Sequence, residues 1–166
     1  MKITKDLNTL TKSEFITIFG SIFEKSEWIA NETFELKPFK NSKDLVDKMI
    51  NIYDSCSVDK ILKILNLHPK LAIEKKLSSF SSKEQTGAEL DKCTNEEYLL
   101  FNKMNNEYKL KFDIPFIYAV KGANKIDIIN QFKKRLDNNN IQEEFNESIK
   151  QVKKIAYFRL SEIVDE

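Results

Sequence analysis

Apolar residues along this chain recur at spacings of three and four far more often than they alternate, and that period predicts helices. From Ser13 the run Phe15, Ile16, Ile18, Phe19, Ile22, Phe23 clusters on one side of a helix. Ile16 stands three residues after Ser13, so Ser13 has no capping-box partner. After Pro38, Leu45, Met49, Ile52 and Tyr53 share a face, and a third stretch from near Ser57 carries Ile61, Leu62, Ile64 and Leu65 to the His68-Pro69 break. Proline suits the first position of a helix, so His68 is expected at a cap or in the turn before a short helix containing Leu71.

Ser81-Ser82-Lys83-Glu84 and Thr94-Asn95-Glu96-Glu97 both read as capping boxes. The second opens a longer helix through Tyr98, Leu99, Phe101, Met104, Tyr108 and Leu110. Residues 112–120 form a short apolar run that periodicity leaves open between strand and buried extended segment, although Pro115 weighs against a central strand. Beyond Gly122 come a helix with Ile126, Ile129 and Phe132, a break at Asn138-Asn139-Asn140, and a last helix with Phe145, Ile149, Val152, Ile155, Ala156, Leu160 and Ile163. The expected fold is all-α: one compact domain over residues 1–166, about seven to nine helices, and a short extended segment near 112–120.

Composition agrees. Three Gly and three Pro are too few for the turns of an all-β chain, and 41% hydrophobic residues can fill a core across 166 positions. The 27 basic and 26 acidic residues leave +1, so no overall field draws the chain to nucleic acid or an anionic membrane. Cys56 and Cys93 are far apart and outside any CxxC pair, which excludes zinc ribbons and thioredoxin-like motifs and fits a reduced, cytoplasmic setting. The opening MKITKDLNTL lacks the apolar stretch of a signal peptide, and no segment has the apolar length of a membrane span.

Candidate chemistry is sparse. His68 is the single histidine; it is either a general acid or base, or an exposed helix-cap residue. Glu74 and Asp59 stand at no ligand spacing from it, so no metal is expected. Glu84 is accounted for by the capping box, whereas Gln85 has no structural assignment. Arg159, between Phe158 and Leu160, is either snorkelling or aimed at an anion, while Arg135 in Lys133-Lys134-Arg135 reads as part of a solvated face. No GxSxG elbow and no Gly-rich phosphate loop is present.

Several segments in order carry a family resemblance. They are His68-Pro69-Lys70-Leu71-Ala72; Ser81-Ser82-Lys83-Glu84-Gln85-Thr86-Gly87-Ala88; YKLKFDIPFIYAV at 108–120 with Lys121-Gly122; and Arg159-Leu160. With Phe23-Glu24-Lys25-Ser26-Glu27-Trp28-Ile29-Ala30 and Lys37-Pro38-Phe39, they make the chain resemble the OHCU decarboxylases over nearly its whole length. Those enzymes convert 2-oxo-4-hydroxy-4-carboxy-5-ureidoimidazoline (OHCU) to S-allantoin, the last step of urate breakdown. The resemblance implies an all-helical, commonly dimeric, cofactor-free enzyme acting on a small ureidoimidazoline.

It also implies that His68 is the catalytic histidine, Glu84 the catalytic glutamate and Arg159 a functionally important arginine. Pro69, Ser81, Ser82, Lys83, Gln85, Phe116, Ile117, Tyr118, Ala119 and Val120 match substrate-contacting positions. Three departures stand out: Glu89 and Asp113 occupy positions where the family usually has Gly, and Glu27 replaces a frequent Pro. A Gly at position 113 would serve a positive φ, which Asp tolerates better than most residues. The alternatives to an enzyme are a non-catalytic helical interaction module retaining the fold, and a weak nucleic-acid binder using Lys-rich helices.

Overall fold

A computed structural model describes residues 3, 5–72 and 79–165. Glu74 and the rest of 73–78 lie outside the described residues. Eight α-helices are present among them, in the order α1 (Lys12–Phe19), α2 (Glu27–Phe34), α3 (Ser42–Asp54), α4 (Val58–Leu67), α5 (Ser79–Gly87), α6 (Asn95–Phe112), α7 (Lys125–Asp137) and α8 (Ile141–Ile163). No strand occurs among the described residues, so the chain is all-α. None of its described helices is long and apolar enough to cross a membrane. Contacts divide the chain into two compact units, one of residues 1–67 and 153–166, the other of residues 68–152.

In the first unit, Phe15, Phe19, Ile22, Phe23, Ile29, Leu45, Met49 and Tyr53 are buried. Phe15 packs on Phe19 at 4.6 Å and Phe23 stacks on Tyr53 at 5.0 Å between ring centroids. Helix α1 starts earlier than the apolar run implied, because Thr11 and Glu14 form a capping box. It stops at Phe19, so Ile22 and Phe23 are buried from the following turn rather than from a helix face. Gly20 permits that stop: a Cβ there would meet the Ile16 carbonyl oxygen at 2.5 Å.

The second unit is built on Phe101, Tyr108, Phe116 and Phe132, with Phe116 and Phe132 stacked at 3.7 Å. The Thr94–Glu97 capping box opens α6 as read from sequence, whereas Ser81 does not stand at the start of a helix. Helix α5 begins at Ser79, which puts Ser81 inside it and leaves its hydroxyl no cap position to fill. The expected short helix at Leu71 is absent too; Leu71 and Ala72 lie in a bend, with Ala72 at φ +51°. On α7 the buried face is Ile128, Phe132 and Arg135, while Ile126 is exposed.

Arg135 corrects the expectation of a solvated face. It is buried, and its guanidinium donates to Glu144 at 2.5 Å, to the Ile117 carbonyl at 2.5 Å, to the Tyr108 hydroxyl at 3.0 Å and to Ser148 at 3.0 Å. The Tyr108 hydroxyl in turn donates to Glu144, and burial pushes it well above the usual phenol range, so it stays a donor. A basic triplet on a polar helix end gives no sign of these partners, which come from α6, α8 and the extended segment.

Two of the three departures fall where the backbone is left-handed, Glu89 at φ +57° and Asp113 at φ +55°, the latter ending α6, while Glu27 is the first residue of α2. Glu89→Gly and Asp113→Gly are each expected to raise unfolding free energy by about 0.5–1 kcal/mol, seen as higher melting temperatures. Glu107→Gly, in the exposed interior of α6, should lower it by about 1 kcal/mol. For the buried pair, Arg135→Met leaves the Glu144 carboxylate without its cation and should cost about 3–5 kcal/mol in urea unfolding. The double variant Arg135→Met/Glu144→Leu should lose less than that single one; a single-variant loss below about 1 kcal/mol contradicts this reading.

Candidate active site

His68 follows directly on the end of α4 and is 8% exposed, which removes the reading of an exposed cap. Pro69 after it is half-buried. The bend that follows is fixed from α5: the Gln85 amide donates to the Lys70 carbonyl at 3.2 Å and accepts from the Ala72 N–H at 3.0 Å. Both ends of one buried side chain are thus spent on the backbone just past His68. Gln85 had no structural assignment in the sequence, and this is the one it has.

Helix α5 carries the remaining residues of that segment. Ser81 and Gln85, one turn apart, are buried; Glu84 is half-buried beside them; Ser82 and Lys83 are exposed. Spacings of three and four put residues 81, 84 and 85 on one face, so the exposed pair can reach a ligand only from another direction. With the cap gone, nothing at the start of a helix explains Glu84.

Residues 115–120 are neither helix nor strand, which settles the open reading of the apolar run. Phe116, Ile117, Ala119 and Val120 are buried and Tyr118 is half-buried. Buried backbone outside regular structure needs partners. Arg135 takes the Ile117 carbonyl, Gln151 Oε1 accepts from the Ala119 N–H at 2.9 Å, and the Ala123 N–H donates to the Val120 carbonyl at 2.9 Å. Both the residue-68 bend and this segment belong to the second unit.

Arg159 belongs to the first unit. At 2% exposure it does not snorkel. Its guanidinium donates to the carbonyls of Ser21 at 3.1 Å and Ile22 at 3.2 Å, and to the buried Glu24 carboxylate at 3.4 Å. The anion it meets is a side chain of this protein, and it braces the turn between α1 and α2. Sequence reading placed Arg135 on a solvated face and did not single out Glu144, Gln151 or Asn105. All four are polar residues interrupting apolar helix faces, the one pattern that marks them. Cys56 and Cys93 are free, and burial raises both thiols above their ordinary range. Among the described residues, no three His, Cys, Asp or Glu side chains group closely enough to hold a metal ion.

The OHCU decarboxylase family model matches residues 8–161. A uric acid degradation bifunctional protein of Bacillus sp. (strain TB-90) is 39% identical over 98% of this chain but only 32% of its own length, so the chain spans about a third of that relative. A 2-oxo-4-hydroxy-4-carboxy-5-ureidoimidazoline decarboxylase of Halalkalicoccus jeotgali is 33% identical, covering 96% of this chain and 90% of its own. The crystal structure of an (S)-allantoin synthase superposes with a TM-score of 0.72 at 26% identity, over 96% of this chain and 53% of that one. The match runs through both compact units and every segment singled out above, and the chain belongs to the OHCU decarboxylase family.

Proposed function

We propose that this chain is a carboxy-lyase that converts OHCU to S-allantoin in urate degradation, without a cofactor. The observation that carries the reading is the histidine: the one imidazole in the chain is buried at the end of α4, on a bend locked by Gln85 from the helix that bears Glu84. Residues 1–166 act as one catalytic domain in this reading, supported by a family match that crosses both units.

The substrate supplies its own electron sink. When the bond from the ring carbon to the carboxylate breaks, CO₂ leaves, its electron pair forms a C=C bond in the ring, and the pair of the adjacent ring C=N moves onto the nitrogen, which takes up a proton. The neighbouring hydroxyl then releases its proton and becomes the product's carbonyl as a proton is added at the carbon bearing the ureido group. His68 handles that proton, and delivery from one face sets the S configuration. Glu84 orients the ureido-imidazoline ring. Pro69, Ser81 and Gln85, with the backbone of residues 116–120, form the walls, and the exposed Ser82 and Lys83 meet the substrate from another direction. Gln85 does so by holding the bend at residues 70–72, since its amide is already engaged there.

For Arg159, contacts with Ser21, Ile22 and Glu24 support buttressing over direct contact with substrate charge. The family resemblance supports a homodimer, which light scattering on the purified protein would measure. The free cysteines support a reducing, cytoplasmic setting.

Freshly generated OHCU followed by circular dichroism tests the activity. Wild type is expected to form S-allantoin well ahead of spontaneous decay, and His68→Ala to lose about 10²–10⁴-fold in kcat. Glu84→Gln should fall with it. Wild type no faster than spontaneous decay removes the enzymatic reading; full activity in His68→Ala removes the role of His68 alone.

A further inference from the structure

Asn105 takes no part in the chemistry above, yet it is 1% exposed in the middle of α6. Its neighbours on that face are Phe101, Met104, Tyr108 and Phe112, all buried. A buried amide in such company costs about 1–3 kcal/mol unless its polar atoms are bonded. Only half of this one is. Nδ2 donates to the Leu71 carbonyl at 3.0 Å, while Oδ1 accepts nothing among the described residues. An apolar residue would continue the stripe and leave no amide oxygen stranded, so net stability alone is a poor reason for Asn here.

What the side chain touches supplies a better one. Leu71 lies between the two residues gripped by Gln85, so Lys70, Leu71 and Ala72 are held one after another by two buried amides, from α5 and α6. The bend needs such a grip, because Ala72 sits in the left-handed region at φ +51°, a conformation an L-alanine does not keep without support. Two residues upstream of the grip is His68.

We propose that Asn105 is a positioning residue for catalysis: by fixing the bend at residues 70–72 it sets where the His68 imidazole stands. The inference rests on the reading of His68 as the proton-transfer residue. Asn105 touches no substrate in this account and acts through the chain between Leu71 and His68. Misplacement on the order of 1 Å is enough to slow a proton transfer about 100-fold.

The test uses full-length Asn105→Ser and Asn105→Leu, with Asn106→Ala as a control on the neighbouring exposed position, whose side chain accepts from the Lys70 ammonium. Far-UV circular dichroism and thermal melts identify the folded variants. Because the chain has one histidine, its imidazole Cε1–H resonance reports His68 without ambiguity and without turnover. The expected result in a folded Asn105 variant is kcat lower by about 10–100-fold with KM within about threefold, together with a displaced or broadened His68 resonance. Asn106→Ala should match wild type in all three.

A folded Asn105 variant with kcat within about twofold of wild type, or with an unmoved His68 resonance, overturns the proposal. Should Asn105→Leu fail to fold, the smaller Asn105→Ser carries the test. A displaced resonance beside an inactive wild type would sink the decarboxylase reading and leave the positioning role standing.

Discussion

Backbone that is buried without being helix or strand must find hydrogen-bond partners elsewhere, and in this chain long polar side chains supply them. Gln85 and Asn105 take the bend at residues 70–72; Arg135 and Gln151 take the extended segment at Ile117 and Ala119. The first unit uses the same device. Arg159 takes the carbonyls of Ser21 and Ile22, and Asn8 exchanges two hydrogen bonds with the backbone of Phe39. Remove these side chains and the irregular segments lose the reason to be where they are.

The arrangement suits an enzyme with no prosthetic group to do its chemistry. A substrate that stabilises its own carbanion asks the protein for position: a proton donor at one face of the ring and walls that do not yield. Helices alone present side chains, whereas an extended segment also presents N–H and C=O groups, and within 116–120 the Ile117 carbonyl is fixed by the buried Arg135 and the Ala119 N–H by the half-buried Gln151. Gln85 becomes intelligible in the same terms, as a group that holds the bend after His68, and within the first unit Arg159 holds the turn between α1 and α2 in the same way. The Arg135 network joins the two roles, since the guanidinium that neutralises Glu144 also holds the Ile117 carbonyl.

The helices were legible because their signals are local. The Thr94–Glu97 box and the stripe of α8 needed only residues three or four apart. The same rule misled at Ser81, where a valid box pattern sits inside a helix that starts at Ser79, and it overlooked the box at Thr11 one turn ahead of the apolar run. The polar framework was not legible at all. Arg135 meets Ile117 and Tyr108, 18 and 27 residues away, and Asn105 meets Leu71 across 34, so no window on the sequence contains both partners. The proposed site residues come from the family resemblance. Composition and periodicity alone yielded a single histidine with two open readings, and burial of His68 closed the one that made it an exposed cap.

The claim that His68 delivers a proton from one face of a held substrate is tested most directly by the stereochemistry of the product. OHCU turned over in D₂O by the wild-type protein should yield allantoin carrying one deuterium at the ureido-bearing carbon, as the S enantiomer alone, while His68→Ala should yield the racemate formed in the absence of protein. Racemic allantoin from the wild type, or S-allantoin of undiminished purity and rate from His68→Ala, would contradict the account.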